Sequence, residues 1–335
     1  MTVSLAPHER LVLTATFGRP PAGWDREVRD AGGNTFHSSA MGAIALAQGR
    51  EPVYLRAEQA GRVVAHAVAE AGRSRRPIGW RRHSVLELKT MPVLAPGSGV
   101  TLQQVVDAVR RLAATTGFGR IQFSSFADPQ PADTAALALD GYRVTPRLEF
   151  RVSLGADLEE TLAGMTAQHR RNIRKGLSAG CEFVEDSTLD GAIALRALQD
   201  VTYARRHEQG NYDARAWPVA DYRVAMQALL ASNSIRFWFV RRDGAPQSGI
   251  GVMTFGRWAY YFLGGTSREG YANRAAFALF GEVIRTLTAE GNRELNLGGM
   301  AVGAEDPSHI EHGLYRFKTG FGARVVRCQT AEGPP

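Results

Sequence analysis

The chain has 335 residues, of which 44% are hydrophobic, so it is long enough for two domains and apolar enough to bury a core. This composition excludes a disordered protein. No stretch approaches the roughly 20 apolar residues of a membrane span, the N-terminus lacks a secretory pattern, and two cysteines are too few for a disulfide framework or a zinc site. We therefore expect a cytoplasmic protein with neither a metal nor a membrane partner.

The charge is the first hint of a partner. Forty basic side chains stand against 33 acidic ones, which gives a net charge of +7. Such a balance favours nucleic acid, a nucleotide or an acidic lipid. An arginine bias of the coding sequence would raise the charge equally well, and both explanations stay open. Only three of the basic residues are lysine, namely Lys89, Lys175 and Lys318.

The predicted elements occur twice in one order. The first half reads as two strands, a helix and a strand, at 52–71, 101–117 and 120–126. The second half repeats this order with one extra strand, at 235–256, 257–265, 273–291 and 294–299. We therefore predict an α/β (α+β) fold made of two copies of one unit, each a mixed sheet flanked by helices.

A basic helix is predicted after the seam between the halves. It begins at Asp157, and its last turns carry Arg170, Arg171, Arg174 and Lys175. These side chains could form a phosphate-facing stripe for RNA or a diphosphate. A solvated helix end that matches the helix dipole would have the same composition, and both interpretations remain.

Three further runs are candidates for a binding site. Arg205, Arg206 and His207 end the next helical stretch and could hold a phosphate. In "AYYFLGGTS" (259–267), strand alternation directs Tyr260 and Phe262 to one face and Tyr261 to the other, and the glycines Gly264 and Gly265 allow close approach. "LNLGGM" (295–300) ends a strand in two glycines, where ligands of α/β sheets gather.

Five segments in this order resemble the FemABX family of aminoacyl-tRNA-dependent transferases. They are "NTFHSSAMGAI" (34–44), residues 147–183 with "RRNIRKG", "YYFLGGTS" (260–267), "LNLGGM" (295–300) and "LYRFKTGFG" (314–322). The last is the most specific, because the family ends its catalytic domain with L-Y-x-F-K.

The resemblance implies a domain organisation. Members of the family consist of two tandem GNAT-like domains, expected here at 1–148 and 149–316, with a tail at 317–335 that returns to the first domain. The larger members carry a coiled-coil arm. No heptad run is present in this sequence, so we expect the compact form without that arm.

The resemblance also implies an activity. Family members move an amino acid from the 3′ end of charged tRNA onto an amine of a peptidoglycan precursor or of a small natural product. Aminoacyl-tRNA is then a co-substrate, and no cofactor is expected. Met41 replaces the family's tryptophan and its segment has no lysine, which favours a small-molecule or peptide amine, such as an antibiotic intermediate, over a UDP-linked precursor.

The family motifs assign candidate residues. Lys318 would stabilise the oxyanion as a compact point donor, and Phe317 would position it and orient the amine through its carbonyl. Residues expected to bind the substrate are Arg206, Tyr260, Phe262 and Tyr315, and the expected contacts to tRNA phosphates are Arg170, Arg171, Arg174 and Lys175. The alternative for Lys318 is a chance lysine on a surface turn.

Two other functions remain open. A GNAT N-acyltransferase using acetyl-CoA or another acyl-CoA needs a [QR]-x-x-G-x-[GA] loop for the pyrophosphate. "SREGYA" (267–272) matches this pattern in part, with Ser267 at the position of the Gln or Arg. A non-catalytic RNA- or nucleotide-binding protein is the third possibility, and the presence of Lys318 argues against it.

Overall fold

The computed structural model describes residues 11–72, 85–129, 137–155, 157–211 and 217–335. The chain folds into two compact units. The first contains residues 1–147 and 328–335, and the second contains residues 148–327. Residues 317–327, expected in a tail, belong to the second unit.

Strands and helices alternate along the chain. The described strands are β1 (Val12–Phe17), β2 (Glu51–Gln59), β3 (Arg62–Ala71), β4 (Val85–Leu88), β5 (Val93–Leu94), β6 (Arg120–Ser124), β7 (Arg143–Ser153), β8 (Glu182–Glu185), β9 (Ile235–Arg242), β10 (Ala245–Phe255), β11 (Trp258–Thr266), β12 (Glu294–Ala301) and β13 (Arg324–Gly333). The described helices are α1 (Trp24–Asp30), a 3-10 helix (Thr35–His37), α2 (Ser39–Ala47), α3 (Leu102–Thr115), α4 (Leu158–Ala163), α5 (Ala167–Leu177), α6 (Leu189–Glu208), α7 (Val219–Ala231), α8 (Arg268–Ala272), α9 (Ala275–Ala289) and α10 (His312–Gly320).

The first unit is a mixed sheet in the order β1-β2-β3-β4-β6-β13. Strands β4 and β6 are parallel, whereas the other neighbours in this sheet are antiparallel. Helix α3 follows from its sequence: Thr101 and Gln104 form a capping box, and valines at helical spacing, including Val105 and Val109, are buried. The last residues of the chain complete this sheet, because Thr330–Gly333 pair with β6.

The second unit repeats the architecture in the order β7-β12-β11-β10-β9-β8. Strand β9 ("IRFWFVRR") is nearly continuous in buried apolar residues, since helices α6 and α9 cover the sheet. The hydrophobic core of the second unit contains Phe150, Trp238, Phe280 and Phe321. The predicted α/β (α+β) fold with mixed sheets flanked by helices is thus confirmed.

The helix predicted from Asp157 is in fact two helices. Asp157 caps α4 as expected, by accepting from the Glu160 amide, but α4 ends at Ala163. The chain turns at Gly164, where the backbone of Gly322 packs directly on it: a Cβ at Gly322 would lie 2.7 Å from the Gly164 carbonyl oxygen. Thr166 then caps α5. The basic residues therefore belong to a separate helix.

Candidate active site

Lys318 is a buried lysine on a helix. It lies on α10 and is 6% exposed, so the alternative of a chance lysine on a surface turn is wrong. Its Nζ donates a hydrogen bond to the Gly299 carbonyl oxygen at 3.2 Å and lies 5.1 Å from the centre of the Phe150 ring. Burying an ammonium group is unfavourable unless it has such contacts. The position of Lys318 is therefore specified by its surroundings.

Tyr315 contacts the same aromatic ring. One helical turn before Lys318, its ring meets Phe150 edge-on at 5.5 Å and stacks on His312 at 6.2 Å. Tyr315 is half-buried against the core of the second unit. It thus lies beside the lysine and also packs in the core.

The carbonyl that binds Lys318 belongs to a glycine corner of β12. The parallel pairing of β11 with β12 ends at Tyr260 opposite Asn296. Gly298 follows with φ +82°, a conformation that favours glycine. A Cβ at Gly298 would lie 3.7 Å from the Lys318 Nζ and 4.0 Å from the Tyr260 hydroxyl. Both polar groups therefore face the same backbone, where no side chain intervenes.

A buried polar network holds this corner. The side-chain oxygen of Asn296 accepts from the Gly298 amide at 2.8 Å, and its NH₂ donates to Glu149 at 2.5 Å. The other Glu149 oxygen accepts two hydrogen bonds from Arg151, at 2.7 and 2.9 Å. Glu149 is fully buried and Arg151 is 4% exposed. Such a pair is tolerated because both charges are hydrogen-bonded.

Phe317 has a different contact from the one expected for its carbonyl. That carbonyl oxygen lies 3.0 Å from Nε2 of the buried His169. A carbonyl only accepts, so Nε2 carries the proton, and Nδ1 accepts from the Thr166 hydroxyl at 3.0 Å. Burial lowers the pKa of His169, which keeps the ring neutral, although the carbonyl contact opposes this shift. The Phe317 carbonyl thus fastens α10 to the start of α5, and the Gly320 carbonyl does the same by accepting from the Thr166 amide.

The Phe317 side chain lines a cavity of about 540 Å³ within the second unit. Arg206 lines the same cavity, as do Arg205, Tyr261 and Tyr271. The guanidinium of Arg205 lies 4.1 Å from the centre of the Tyr271 ring, a cation–π contact that fixes its direction. Burial raises the pKa of Tyr261 to about 12, so its hydroxyl is a donor at neutral pH. The cavity combines cationic, aromatic and backbone groups.

Tyr260 and Phe262 are brought together, but strict alternation does not hold along β11. The register with β10 shifts between Gly251 and Val252, which makes Phe262 an extra residue, a β-bulge. The Phe262 ring lies 6.2 Å from Tyr260 and 5.7 Å from Trp217. These three half-buried rings form an aromatic cluster.

The same bulge explains the two glycines that follow. It places Tyr261 and Gly264 on one face, where a Cβ at Gly264 would lie 2.1 Å from the Tyr261 hydroxyl. A Cβ at Gly265 would lie 2.5 Å from the α6 backbone at Gln199. The close approach that we expected there is therefore made by the protein itself.

The basic residues of α5 divide by environment. Arg170 is half-buried and donates to the carbonyl oxygens of Leu162 and Met165, so its guanidinium is used inside the unit. Arg171, Arg174 and Lys175 are exposed, opposite the buried face formed by His169 and Ile173. Lys175 lies six residues after His169, roughly 9 Å further along the helix axis.

Two other segments have structural roles. In the early family segment, Asn34 and His37 cap each other, and Met41 is buried. In the loop of the acyl-CoA alternative, the Ser267 hydroxyl itself accepts from the Gly270 amide at 2.9 Å. A Cβ at Gly270 would lie 2.1 Å from the Gln247 carbonyl oxygen. The glycine matched in that loop is thus required for packing.

Sequence reasoning missed the residues around the lysine. Glu149 and Arg151 alternate with Leu148, Phe150 and Val152 in "LEFRV", and two charges between buried apolar residues indicate a buried ion pair. An asparagine two residues before a glycine indicates a side-chain turn, as at Asn296. His169 gave no comparable signal, because its partner is a backbone carbonyl 148 residues later.

Within the described residues, no helix is long and apolar enough to cross a bilayer. Nor does that part of the chain contain a group of three or more His, Cys, Asp or Glu side chains that could hold a metal ion.

A family model matches most of the second unit of the chain. Residues 163–319, which lie within the second unit, match the family model described as "Acetyltransferase (GNAT) domain". No curated protein matches the chain in sequence.

Solved structures extend the similarity to most of the chain. The crystal structure of FemX is similar with a TM-score of 0.68 at 12% identity, over 89% of this chain and 92% of that one. A conserved protein of unknown function from Bacteroides thetaiotaomicron gives a TM-score of 0.59 at 11% identity, over 96% of this chain and 100% of that one. At such identities the similarity establishes the fold: this chain has the fold of FemX.

Proposed function

We propose that this protein is an aminoacyltransferase that moves an amino acid from aminoacyl-tRNA onto an amine of a small-molecule or peptide acceptor. The observation that carries the proposal is the buried Lys318 at the Gly298–Gly299 corner. The GNAT-type domain and the FemX fold support acyl transfer in general. The aminoacyl donor rests on the FemABX resemblance of the sequence.

The reaction forms no covalent bond between the substrates and the protein. The neutral amine attacks the ester carbonyl, a C–N bond forms, and the oxygen becomes an oxyanion in the tetrahedral intermediate. The C–O bond to the ribose then breaks, and the proton lost by the amine balances the released ribose hydroxyl. Lys318 stabilises the oxyanion, since the Gly299 carbonyl holds its compact ammonium beside the glycine corner. The glycine backbone leaves room for the ester beside it.

The cavity beside Phe317 holds the end of the donor. Its volume of about 540 Å³ falls in the range of small-molecule sites. Arg206 contributes a guanidinium for a phosphate, and Tyr261 contributes a hydroxyl donor. The exposed Arg171, Arg174 and Lys175 bind the tRNA backbone further out.

The aromatic cluster of Tyr260, Phe262 and Trp217 holds the acceptor. Its rings offer apolar faces, and the Tyr260 hydroxyl faces the same glycine as the Lys318 ammonium. A small amine with an apolar or aromatic body suits this surface. The antibiotic intermediate favoured by the sequence is of that kind, whereas a UDP-linked peptidoglycan precursor is the less favoured acceptor.

A second candidate is an N-acyltransferase that uses acetyl-CoA or another acyl-CoA. The match of residues 163–319 to the GNAT model supports it. The hydrogen bond from the Gly270 amide to Ser267 weighs against it, because that amide is already satisfied where a pyrophosphate would bind.

The two candidates are separated by the donor. A candidate amine is incubated with the protein and a mixture of charged tRNAs, and products are identified by mass spectrometry. We expect an aminoacylated amine that disappears when the tRNA is first digested with ribonuclease, and that acyl-CoA does not restore. Turnover supported by acyl-CoA alone would establish the second candidate and overturn the first.

A further inference from the structure

The Gly298–Gly299 corner is held by more than its own backbone. Beyond Asn296, strand β12 leaves its pairing with β11, so that neighbour no longer fixes Gly298. Strand β7 is the other neighbour of β12, and the Asn296 side chain adds a contact at the corner by accepting from the Gly298 amide at 2.8 Å.

Asn296 is itself fixed in one orientation. Its NH₂ donates to Glu149, and Glu149 is held by two hydrogen bonds from Arg151. Because a carboxylate only accepts, the Asn296 amide cannot flip without facing Glu149 with its oxygen. The network therefore directs the Asn296 oxygen at the Gly298 amide and not elsewhere.

The network reaches the lysine from two sides. Through Asn296 it sets Gly298, next to the carbonyl that binds the Lys318 Nζ. Through β7, the same strand that carries Glu149 and Arg151 carries Phe150, whose ring lies under that Nζ. The contacts of the ammonium with Gly299 and with Phe150 thus both involve residues next to one buried network.

We propose that Asn296, oriented by Glu149 and Arg151, is a positioning residue that fixes the Lys318 ammonium in its catalytic place. The catalytic part of this statement rests on the proposed function, whereas the placement of the ammonium does not. Asn296 touches no reacting atom in this account and acts through the glycine corner.

The three lysines make the placement measurable. With ¹³C-labelled lysine, the protein gives three ε-methylene signals by NMR, and Lys318→Arg identifies one of them. We expect the Lys318 signal of the wild type to be displaced by the ring of Phe150, whereas the exposed Lys175 gives an ordinary signal. Asn296→Ala should move the Lys318 signal toward that of Lys175 and leave Lys175 and Lys89 unchanged.

Asn292→Ala is the matched control. Asn292 lies two residues before the same strand, and its NH₂ donates to the Leu287 carbonyl at 3.1 Å, away from the corner. It should leave the Lys318 signal in place. Transfer from charged tRNA should fall roughly tenfold or more in kcat in Asn296→Ala with little change in KM, because misplacement slows the step rather than binding.

The Asn296→Asp variant tests the hydrogen bond to Glu149. This test can be carried out whether or not the Asn296→Ala variant folds. It places a second carboxylate against a buried one, which raises the pKa of the pair. At high pH the two carboxylates repel. At low pH one proton restores an O–H···O bond, so both kcat and the Lys318 signal should recover as the pH falls. A purely structural role would give a pH profile parallel to that of the wild type.

A Lys318 signal that is unchanged in folded Asn296→Ala or Asn296→Asp at high pH would overturn the positioning role. Absence of transfer from charged tRNA in the wild type would instead overturn the proposed function, and the NMR result would still decide the placement.

Discussion

At the scale of single residues, the choice of lysine at position 318 is the most informative feature. Only three of the 40 basic residues of the chain are lysine, and all the others are arginine. A guanidinium is wider and flatter than an ammonium. Because the Lys318 Nζ lies between a ring face and a backbone carbonyl, a compact donor suits this place.

Gly298 should be required for catalysis beyond its contribution to stability. An alanine at φ +82° is strained by about 1–2 kcal/mol, and its Cβ would enter the space before the ammonium, 3.7 Å from Nζ. We expect Gly298→Ala to lower the free energy of unfolding by that amount and the transfer rate by roughly tenfold or more.

Gly256→Ala is the control for backbone strain, since Gly256 has φ +60° in the β10–β11 turn and open space around its Cβ position. It should lose similar stability, measured by urea unfolding, and keep the wild-type rate. Equal rates in the two variants would show that the corner is unimportant.

His37 should make the first unit sensitive to acid. It is fully buried, its Nε2 donates to the Met91 carbonyl at 2.8 Å, and burial lowers its pKa to about 4. The folded pKa lies below the ordinary value of 6.5, so this stabilisation is complete above pH 6.5 and is lost as the pH falls toward 4. At about 1.4 kcal/mol per unit, roughly 2 kcal/mol disappears between pH 6.5 and 5.

Urea unfolding at several pH values measures this loss. His37→Gln should flatten the profile below pH 6.5, whereas His207→Gln, which removes an exposed histidine, should leave it as in the wild type. His66 and His169 act in the same direction and Glu70 acts in the opposite one, so the difference between variant and wild type is the quantity to compare. Parallel profiles for His37→Gln and wild type would refute the assignment.

At the scale of elements, α5 connects two functions. Its N-terminal end is fastened to α10 by the Thr166 amide and by His169, and its exposed face carries Arg171, Arg174 and Lys175. The helix that we propose for the tRNA backbone is thus hydrogen-bonded to the helix that carries Lys318.

Binding of tRNA should depend on these exposed cations. Each phosphate contact that is lost should reduce the slope of log K against log salt by about 0.7–0.9, because fewer counterions are released. We expect Arg174→Ala to reduce the slope by one such step in a filter-binding titration. Arg223→Ala removes an exposed charge from α7 and should not change the slope. If both variants keep the wild-type slope, the helix does not contact the tRNA.

The elements also show what could be predicted from the sequence. Periodicity predicted helices α3 and α9 and the strands β2, β3, β6 and β9 to β12, because local patterns define buried faces. It did not predict the strands β1, β4, β5, β8 and β13. It did not predict the break at Gly164, where Gly322 packs on the chain, nor the bulge at Phe262, which is defined by the register with β10. Both features involve partners that a local pattern in one segment does not show.

At the scale of the whole molecule, the repeated order of strands and helices in the sequence predicted the α/β architecture. Lys318 was identifiable from its motif, but its neighbours Phe150 and Asn296 were not, because they come from strands far apart in the chain. The chain is thus a FemX-like fold whose second unit combines a buried ammonium, a glycine corner and a cavity.

The most direct test of this account is the single-turnover rate of amino acid transfer from charged tRNA in Lys318→Ala and Lys318→Arg, with thermal unfolding as the check on folding. We predict that Lys318→Ala is folded and about 10²–10³ slower than the wild type, as is typical for the loss of one oxyanion donor. Lys318→Arg should restore little of the rate, since its guanidinium does not fit the corner. A folded Lys318→Ala protein that transfers at the wild-type rate would contradict the account.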